Sequence, residues 1–139
     1  MTRHAKWALA LIAVATAGEV ALQAAVRTDW SQKQSQVFLF AFLIGPPLFL
    51  AVTVWRRRTH PTRSRLLFWL AVAVAVGGLA VLGFDVHRYH TDPEFRRKQN
   101  MNGLVVPIVQ WAVILAIWLW LVFREGQEKR AAKNPPPAK

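Results

Sequence analysis

The chain has 139 residues, of which 54% are apolar, yet its formal net charge is +11. Soluble domains rarely combine these two values, and here the basic residues avoid four long apolar runs and crowd the segments between them. This segregation is typical of a polytopic membrane protein and argues against a nucleic-acid-binding domain, while the absence of cysteine excludes disulfides, thiolate metal ligands and a cysteine nucleophile.

The first apolar run, residues 7–26, has the length of a transmembrane helix, because twenty residues at about 1.5 Å each span a hydrocarbon core of about 30 Å. It contains one carboxylate, Glu19. A carboxylate at the bilayer centre costs on the order of 2.5–3.5 kcal/mol, so such residues usually face a bundle interior and have a partner. An alternative interpretation is a signal peptide cleaved after Ala15-Thr16-Ala17, but the apolar character continues to Val26, which favours a full span.

Three further spans follow along the chain. They are predicted at residues 37–55, 66–84 and 104–123, separated by a polar connection at 27–36, a basic loop at 56–65 and an outer loop at 85–103. The tail, residues 124–139, is basic, ends near a triple proline and is expected to be flexible. The predicted fold is therefore an all-α membrane protein, a single integral membrane domain with a four-transmembrane-helix bundle.

The distribution of basic residues predicts the orientation of this bundle, because cytoplasmic loops carry the excess of Lys and Arg. Twelve of the 18 basic residues fall on the side that holds both termini and the loop 56–65, and six fall on the other side. Both termini are therefore expected in the cytoplasm, in a multi-pass protein of a bacterial inner membrane.

A polar layer is expected near the middle of the spans. Thr16, Glu19 and Gln23 share one face of the first helix, and counting from span midpoints places Gln110 at a similar depth. Gly77 and Gly78 in the third span lie at the same level. Interhelical hydrogen bonds that hold the bundle together are one interpretation of this layer, and a ligand or proton site is the alternative.

The sequence Gly45-Pro46-Pro47 lies at that depth in the second span. The two prolines remove two backbone donors, so a kink toward the bundle is expected, where protein groups can satisfy the freed carbonyls. Small residues at four-residue spacing also predict close helix contacts. They are Ala13, Ala17, Ala21 and Ala25 in the first span, and Ala73 and Gly77 in the third.

Asp85, His87 and His90 form a D-x-H-x-x-H pattern at the outer end of the third span. Imidazole and carboxylate groups can bind zinc, copper or nickel, so a metal site or proton relay is one hypothesis and a plain surface role is the other. No histidine lies inside a predicted span, which argues against haem, and no cofactor is expected.

The basic loop 56–65 contains five arginines and no acidic residue. Basic residues next to a membrane attract anionic lipids by about 1 kcal/mol each. We therefore expect the loop to contact lipid headgroups through Arg56, Arg57, Arg58, Arg63 and Arg65.

No catalytic motif occurs, and the segments outside the spans are too short for a catalytic domain, so an enzyme is not expected. Four short spans with Gly18-Glu19-Val20 in the first resemble the small multidrug resistance transporters, in which a first-helix glutamate exchanges protons for cationic drugs. The proline pair, the arginine-rich loop and the missing later-helix motifs depart from that family, so membership is not inferred. Size and plan are also similar to immunity proteins that block pore-forming bacteriocins.

These observations predict a non-enzymatic interaction or accessory subunit, with an immunity-type role as one form of it. Its expected partners are the lipid bilayer and either a membrane protein or further copies of the chain. A small proton-coupled transporter or channel centred on Glu19 is the alternative, and a metal-binding accessory protein that uses the outer histidines is the third.

Overall fold

The computed structural model describes residues 1–26, 33–94 and 102–133. Four helices account for nearly all of them, and no strand occurs in these ranges, which confirms the all-helical prediction. The helices are α1 (Arg3–Val26), α2 (Lys33–Arg56), α3 (Pro61–Thr91) and α4 (Asn102–Lys133). Helix α2 begins at Lys33, so the last four residues of the predicted connection 27–36 are helical. Residues 27–32 lie outside the described ranges.

Three of the helices are long and apolar enough to cross a membrane, namely Arg3–Ala25, Pro61–Thr91 and Val105–Lys133. The corresponding apolar stretch of α2, Ala41–Arg56, is shorter over the part whose side chains are described. The prediction of a membrane protein is thus confirmed for three spans.

Successive helices run in opposite directions. The contacts at one end of the bundle show this, because they join the starts of α1 and α3 to the ends of α2 and α4. The backbone N–H of Thr2, just before α1, donates to the carbonyl oxygen of Arg58, just after α2 (2.9 Å). Thr2 Oγ1 also donates to Ser64 Oγ in the first turn of α3 (2.8 Å), and Arg57 Nε donates to Glu125 Oε1 of α4 (2.7 Å). We call this end, which holds the start of α1 and the loop between α2 and α3, the basic end.

Helix α1 packs against α3 and α2, and α4 packs against the same two helices, so α1 and α4 lie diagonally across the bundle. Two apolar clusters fill the core. The larger, toward the basic end, includes Ile12, Leu50 and Leu121, and the smaller consists of Leu43, Leu82 and Val106. A polar layer lies between the two clusters.

All four helices extend beyond the predicted spans, and α3 and α4 do so by the most residues. α3 begins at Pro61 and ends at Thr91, so residues 85–91, predicted as an outer loop, are helical. α4 continues to Lys133, so residues 124–133 are helical instead of a flexible tail, while 95–101 and 134–139 lie outside the described residues. The apolar run gives the part of a helix that can lie in the hydrocarbon core of a membrane. The helix itself can continue beyond that part, because its backbone hydrogen bonds do not depend on apolar side chains.

The small residues at four-residue spacing do not make the predicted close contacts within this bundle. Ala13, Ala17, Ala21 and Ala25 are all exposed on the outside of the bundle, as are Ala73 and Gly77 of α3. We call these six positions the outward ridge. The buried face of α1 is formed instead by Ala5, Ala8, Ile12, Ala15 and Glu19.

Candidate functional site

The centre of the polar layer is a hydrogen bond between the two diagonal helices. Gln110 Nε2 of α4 donates to Glu19 Oε1 of α1 at 2.9 Å. Both side chains are buried, with exposed fractions of 2% for Glu19 and 5% for Gln110. The depth comparison placed these residues at one level, and the structure brings them into contact.

Gly78 of α3 provides the space for this pair. A Cβ atom at position 78 would overlap Glu19 Oε1, and it would lie 2.7 Å from Gln110 Nε2 and 2.9 Å from Glu19 Cδ. The helix backbone therefore packs directly onto the carboxyl and the amide. Nearby, a Cβ at Gly18 would lie 2.9 Å from Leu79 Cδ2, so α1 and α3 are close at this level.

The proline pair of α2 borders the same layer. Pro46 and Pro47 are both buried, and α2 is helical on either side of them. Gly45 faces Trp111 of α4, since a Cβ there would lie 3.1 Å from Trp111 Cζ2. The expected inward placement of the prolines is thus the one in the structure, and the expected kink stays a prediction.

A small gap of about 10 Å³ lies between α1, α2 and α3 beside Glu19. Thr16 and Pro47 line it together with apolar side chains, and its volume is close to the minimum needed for one water molecule. Gln110 Oε1 is buried and accepts no hydrogen bond from the described residues. Among the described residues, Gln110 thus has one unused acceptor, and the gap beside Glu19 has space for about one water.

The other two residues of the predicted polar cluster have different roles. Thr16 Oγ1 donates to the carbonyl oxygen of Ile12 in its own helix at 2.7 Å, which is the usual bond of a threonine inside a helix. Gln23 is buried one turn beyond Glu19, with 7% of its surface exposed. On the face predicted from helical spacing, Glu19 and Gln23 are thus buried and Thr16 is half-buried, and the interhelical bond is made by Glu19.

The predicted metal ligands lie on different faces of α3. Asp85 is buried, whereas His87 and His90 are exposed. This follows from helix geometry, because residues two positions apart point about 200° away from each other. Within the described residues, no group of three His, Cys, Asp or Glu side chains is placed to hold a metal ion.

At the basic end, two of the five loop arginines form ion pairs with α4. Arg57 Nε and Arg63 Nη1 contact Glu125 Oε1 at 2.7 Å and 3.1 Å, and Arg63 also pairs with Glu128. The helical extension of α4 brings these acidic side chains to Arg57 and Arg63, and the headgroup contact of the five arginines stays a prediction. Arg56, Arg58 and Arg65 make none of these pairs, and the guanidinium of Arg58 lies 4.0 Å from the centre of the Trp55 ring.

These ion pairs determine the charge state of Glu125, which lies beyond the apolar part of α4. Burial alone would raise the pKa of the Glu125 carboxyl. The hydrogen bond from Arg57, with the charges of Arg57, Arg63 and Lys129, outweighs burial and holds that pKa below its ordinary value of 4.5. The sequence signal for this contact was the pair of acids at positions 125 and 128 in an otherwise basic segment.

No family model, curated protein or solved structure matches the chain. Its chemistry therefore has to be derived from the polar layer and the basic end.

Proposed function

We propose that this chain is a small inner-membrane protein of four spans, with both termini in the cytoplasm, that acts as a non-enzymatic interaction or accessory subunit. The excess of basic residues at the end that holds the start of α1 and the α2–α3 loop supports the orientation. The alternating helix directions support an even number of crossings. An immunity-type role, in which the chain blocks a partner within the membrane, is one form of this activity.

The observation that carries the proposal is the closed polar layer. Glu19 is bonded to Gln110 and covered by the backbone at Gly78, and the gap beside it is about 10 Å³. Pockets that bind small molecules are about 300–1,000 Å³. The gap beside Glu19 is far smaller than a drug-sized cation, so we expect the bundle to act through its outer surface. The outward ridge is the part of that surface which a partner helix can approach most closely.

The orientation is tested by cysteine labelling, since the natural chain has no cysteine. Gly126 is exposed on the extension of α4, and Thr91 is exposed at the opposite end of the bundle, so each position can be replaced by cysteine. In intact cells, a membrane-impermeant maleimide should label Thr91→Cys and leave Gly126→Cys unlabelled until the cells are lysed. Labelling of Gly126→Cys in intact cells would overturn the orientation.

The partner surface is tested by photo-crosslinking in cells. A benzophenone amino acid at Ala17 of the outward ridge should give a discrete crosslinked protein band. The same amino acid at Ala112, which is exposed on α4 outside the ridge, is the matched control and should give no band. Absence of a band at Ala17, Ala21 and Gly77 would contradict an interaction through the ridge.

A small proton-coupled transporter centred on Glu19 is the second candidate. The unused acceptor Gln110 Oε1 and the water-sized gap that Glu19 lines favour it. The two candidates differ in what Glu19→Gln does. The protein is reconstituted into liposomes, and proton release is followed after an organic cation is added. If the polar layer is structural, neither wild type nor Glu19→Gln should release protons. Release that Glu19→Gln abolishes would establish the transporter instead. The third hypothesis, a metal-binding accessory protein, gains no support from the placement of Asp85, His87 and His90 on different faces.

A further inference from the structure

A wide groove of about 920 Å³ lies at the basic end, between the loop after α2, the first turns of α3 and the last turns of α4. Its volume is near the upper limit of pockets that bind small molecules, about 300–1,000 Å³. On α4 the lining extends from Trp118 to Ala132, which is about 21 Å along the helix axis. The groove therefore runs from the apolar part of the helix into its charged extension.

The two parts of the groove differ in chemistry. The part within the span is lined by Leu66, Trp118, Trp120 and Val122, and the part beyond it by charged side chains. Five of these are cationic, and two are acidic, Glu125 and Glu128. The acids pair with Arg57 and Arg63, so the net positive charge of the lining remains with Arg56, Arg124 and Lys129.

These three cations are positioned to meet a ligand. Arg56 and Lys129 are exposed, and within the described ranges neither forms an ion pair. Arg124 contacts Glu128 of its own helix only at 3.7 Å. The α3 start that borders the groove has no acidic residue in its first turn and no side-chain cap, so its dipole adds positive potential.

We propose that this groove binds one anionic phospholipid, with its phosphate at Arg56, Arg124 and Lys129 and its acyl chains along Leu66, Trp118 and Val122. An amphiphile with an anionic head matches both parts of the lining, whereas a soluble anion would leave the apolar part empty. The ion pairs of Arg57 and Arg63 with α4 form the floor of the site and fix the spacing of its walls. The inference rests on the membrane placement proposed above, since a lipid reaches the groove only if this end lies at the bilayer surface.

Native mass spectrometry of the purified protein in a neutral detergent tests the proposal, with phosphatidylglycerol added as the probe and phosphatidylcholine as the neutral comparison. Wild type should retain one phosphatidylglycerol and little phosphatidylcholine. The double variant R56Q/K129Q should bind phosphatidylglycerol about 30-fold more weakly, which corresponds to about 2 kcal/mol for two basic residues. The matched control R3Q/R130Q removes two exposed charges from α1 and α4 outside the groove, and it should bind within about twofold of wild type.

Equal losses in the two double variants would show general charge attraction and overturn the site, and so would equal retention of the two lipids by wild type. Displacement of phosphatidylglycerol by 10 mM inorganic phosphate would assign the groove to a free anion instead. The variant R56K/K129R keeps both charges and must retain the lipid, which separates a loss of charge from a loss of fold. Because this measurement is made in detergent, the groove can be tested even if the cysteine labelling or the crosslinking contradicts the proposed function.

Discussion

Replacement of Gly78 by alanine tests whether the backbone of α3 packs directly against the Glu19 carboxyl and the Gln110 amide. The new Cβ would overlap Glu19 Oε1 and lie 2.7 Å from Gln110 Nε2, closer than such atoms can approach. Either the helices separate or the carboxyl and amide move apart. Overpacking a core costs about 1–3 kcal/mol, and an interhelical hydrogen bond in a membrane protein contributes about 0.6 kcal/mol on average. We therefore expect Gly78→Ala to destabilise the bundle by about 2–4 kcal/mol.

The adjacent glycine provides the matched control. A Cβ at Gly77 meets nothing within 4 Å, so Gly77→Ala should lie within about 0.5 kcal/mol of wild type. Stability is measured by titrating micelles of a mild detergent with sodium dodecyl sulfate and following tryptophan fluorescence. In a Glu19→Ala background the overlap with the carboxyl is gone, and the cost of Gly78→Ala should fall below about 1 kcal/mol, as a double-mutant cycle would measure. Equal stabilities of Gly77→Ala and Gly78→Ala would refute the packing described for the layer.

Three further measurements probe the basic end and the aromatic contact of α2. The pKa of the Glu125 carboxyl is lower in the folded than in the unfolded state, so its ion pairs stabilise the fold above about pH 4.5, and this stabilisation is lost as the pH falls through the folded-state pKa. Glu125→Gln should remove this acid-dependent part of the stability. A pH dependence of unfolding that is the same in Glu125→Gln and wild type would contradict the ion pairs. Ser64→Ala removes the acceptor of the hydrogen bond from the half-buried Thr2 hydroxyl and should cost about 1 kcal/mol in the same detergent titration, whereas Thr62→Ala, at an exposed position, should cost little. In Gly45→Ala the new Cβ should displace the Trp111 ring by a few tenths of an ångström and shift the tryptophan emission. The loss of stability should be smaller than for Gly78→Ala.

The sequence was sufficient to predict the helices and the level of the polar layer. Apolar runs of 19 or 20 residues predicted where each helix crosses, and counting from their midpoints related Glu19 to Gln110 across 91 positions of sequence. This counting works because every helix rises by the same amount per residue and all spans are centred on one hydrocarbon slab. The prolines and Gly78 were related to that level by the same count.

The Glu19 carboxylate indicated the buried face of α1, but the apolar residues could not be assigned to a buried or an exposed face in the same way. In a soluble bundle the polar side faces water, but in a membrane the lipid-facing and protein-facing sides are both apolar. The alanines of α1 were therefore assigned inward on their size alone, although all four are exposed. Ion pairs of Arg57 and Arg63 were missed for a related reason, since charge counting treats a basic segment as facing lipid and takes no account of an acidic helix end that folds beside it.

The bond between Glu19 and Gln110 joins the first helix of the bundle to the last, although these two helices are not neighbours. During synthesis, α1, α2 and α3 enter the membrane before the segment that carries the amide exists. Until then the carboxyl has no Gln110 to bond with, and a chain that stops short of residue 102 leaves it in that state. The core around Glu19 is therefore closed only after α4 has been inserted beside the other three helices.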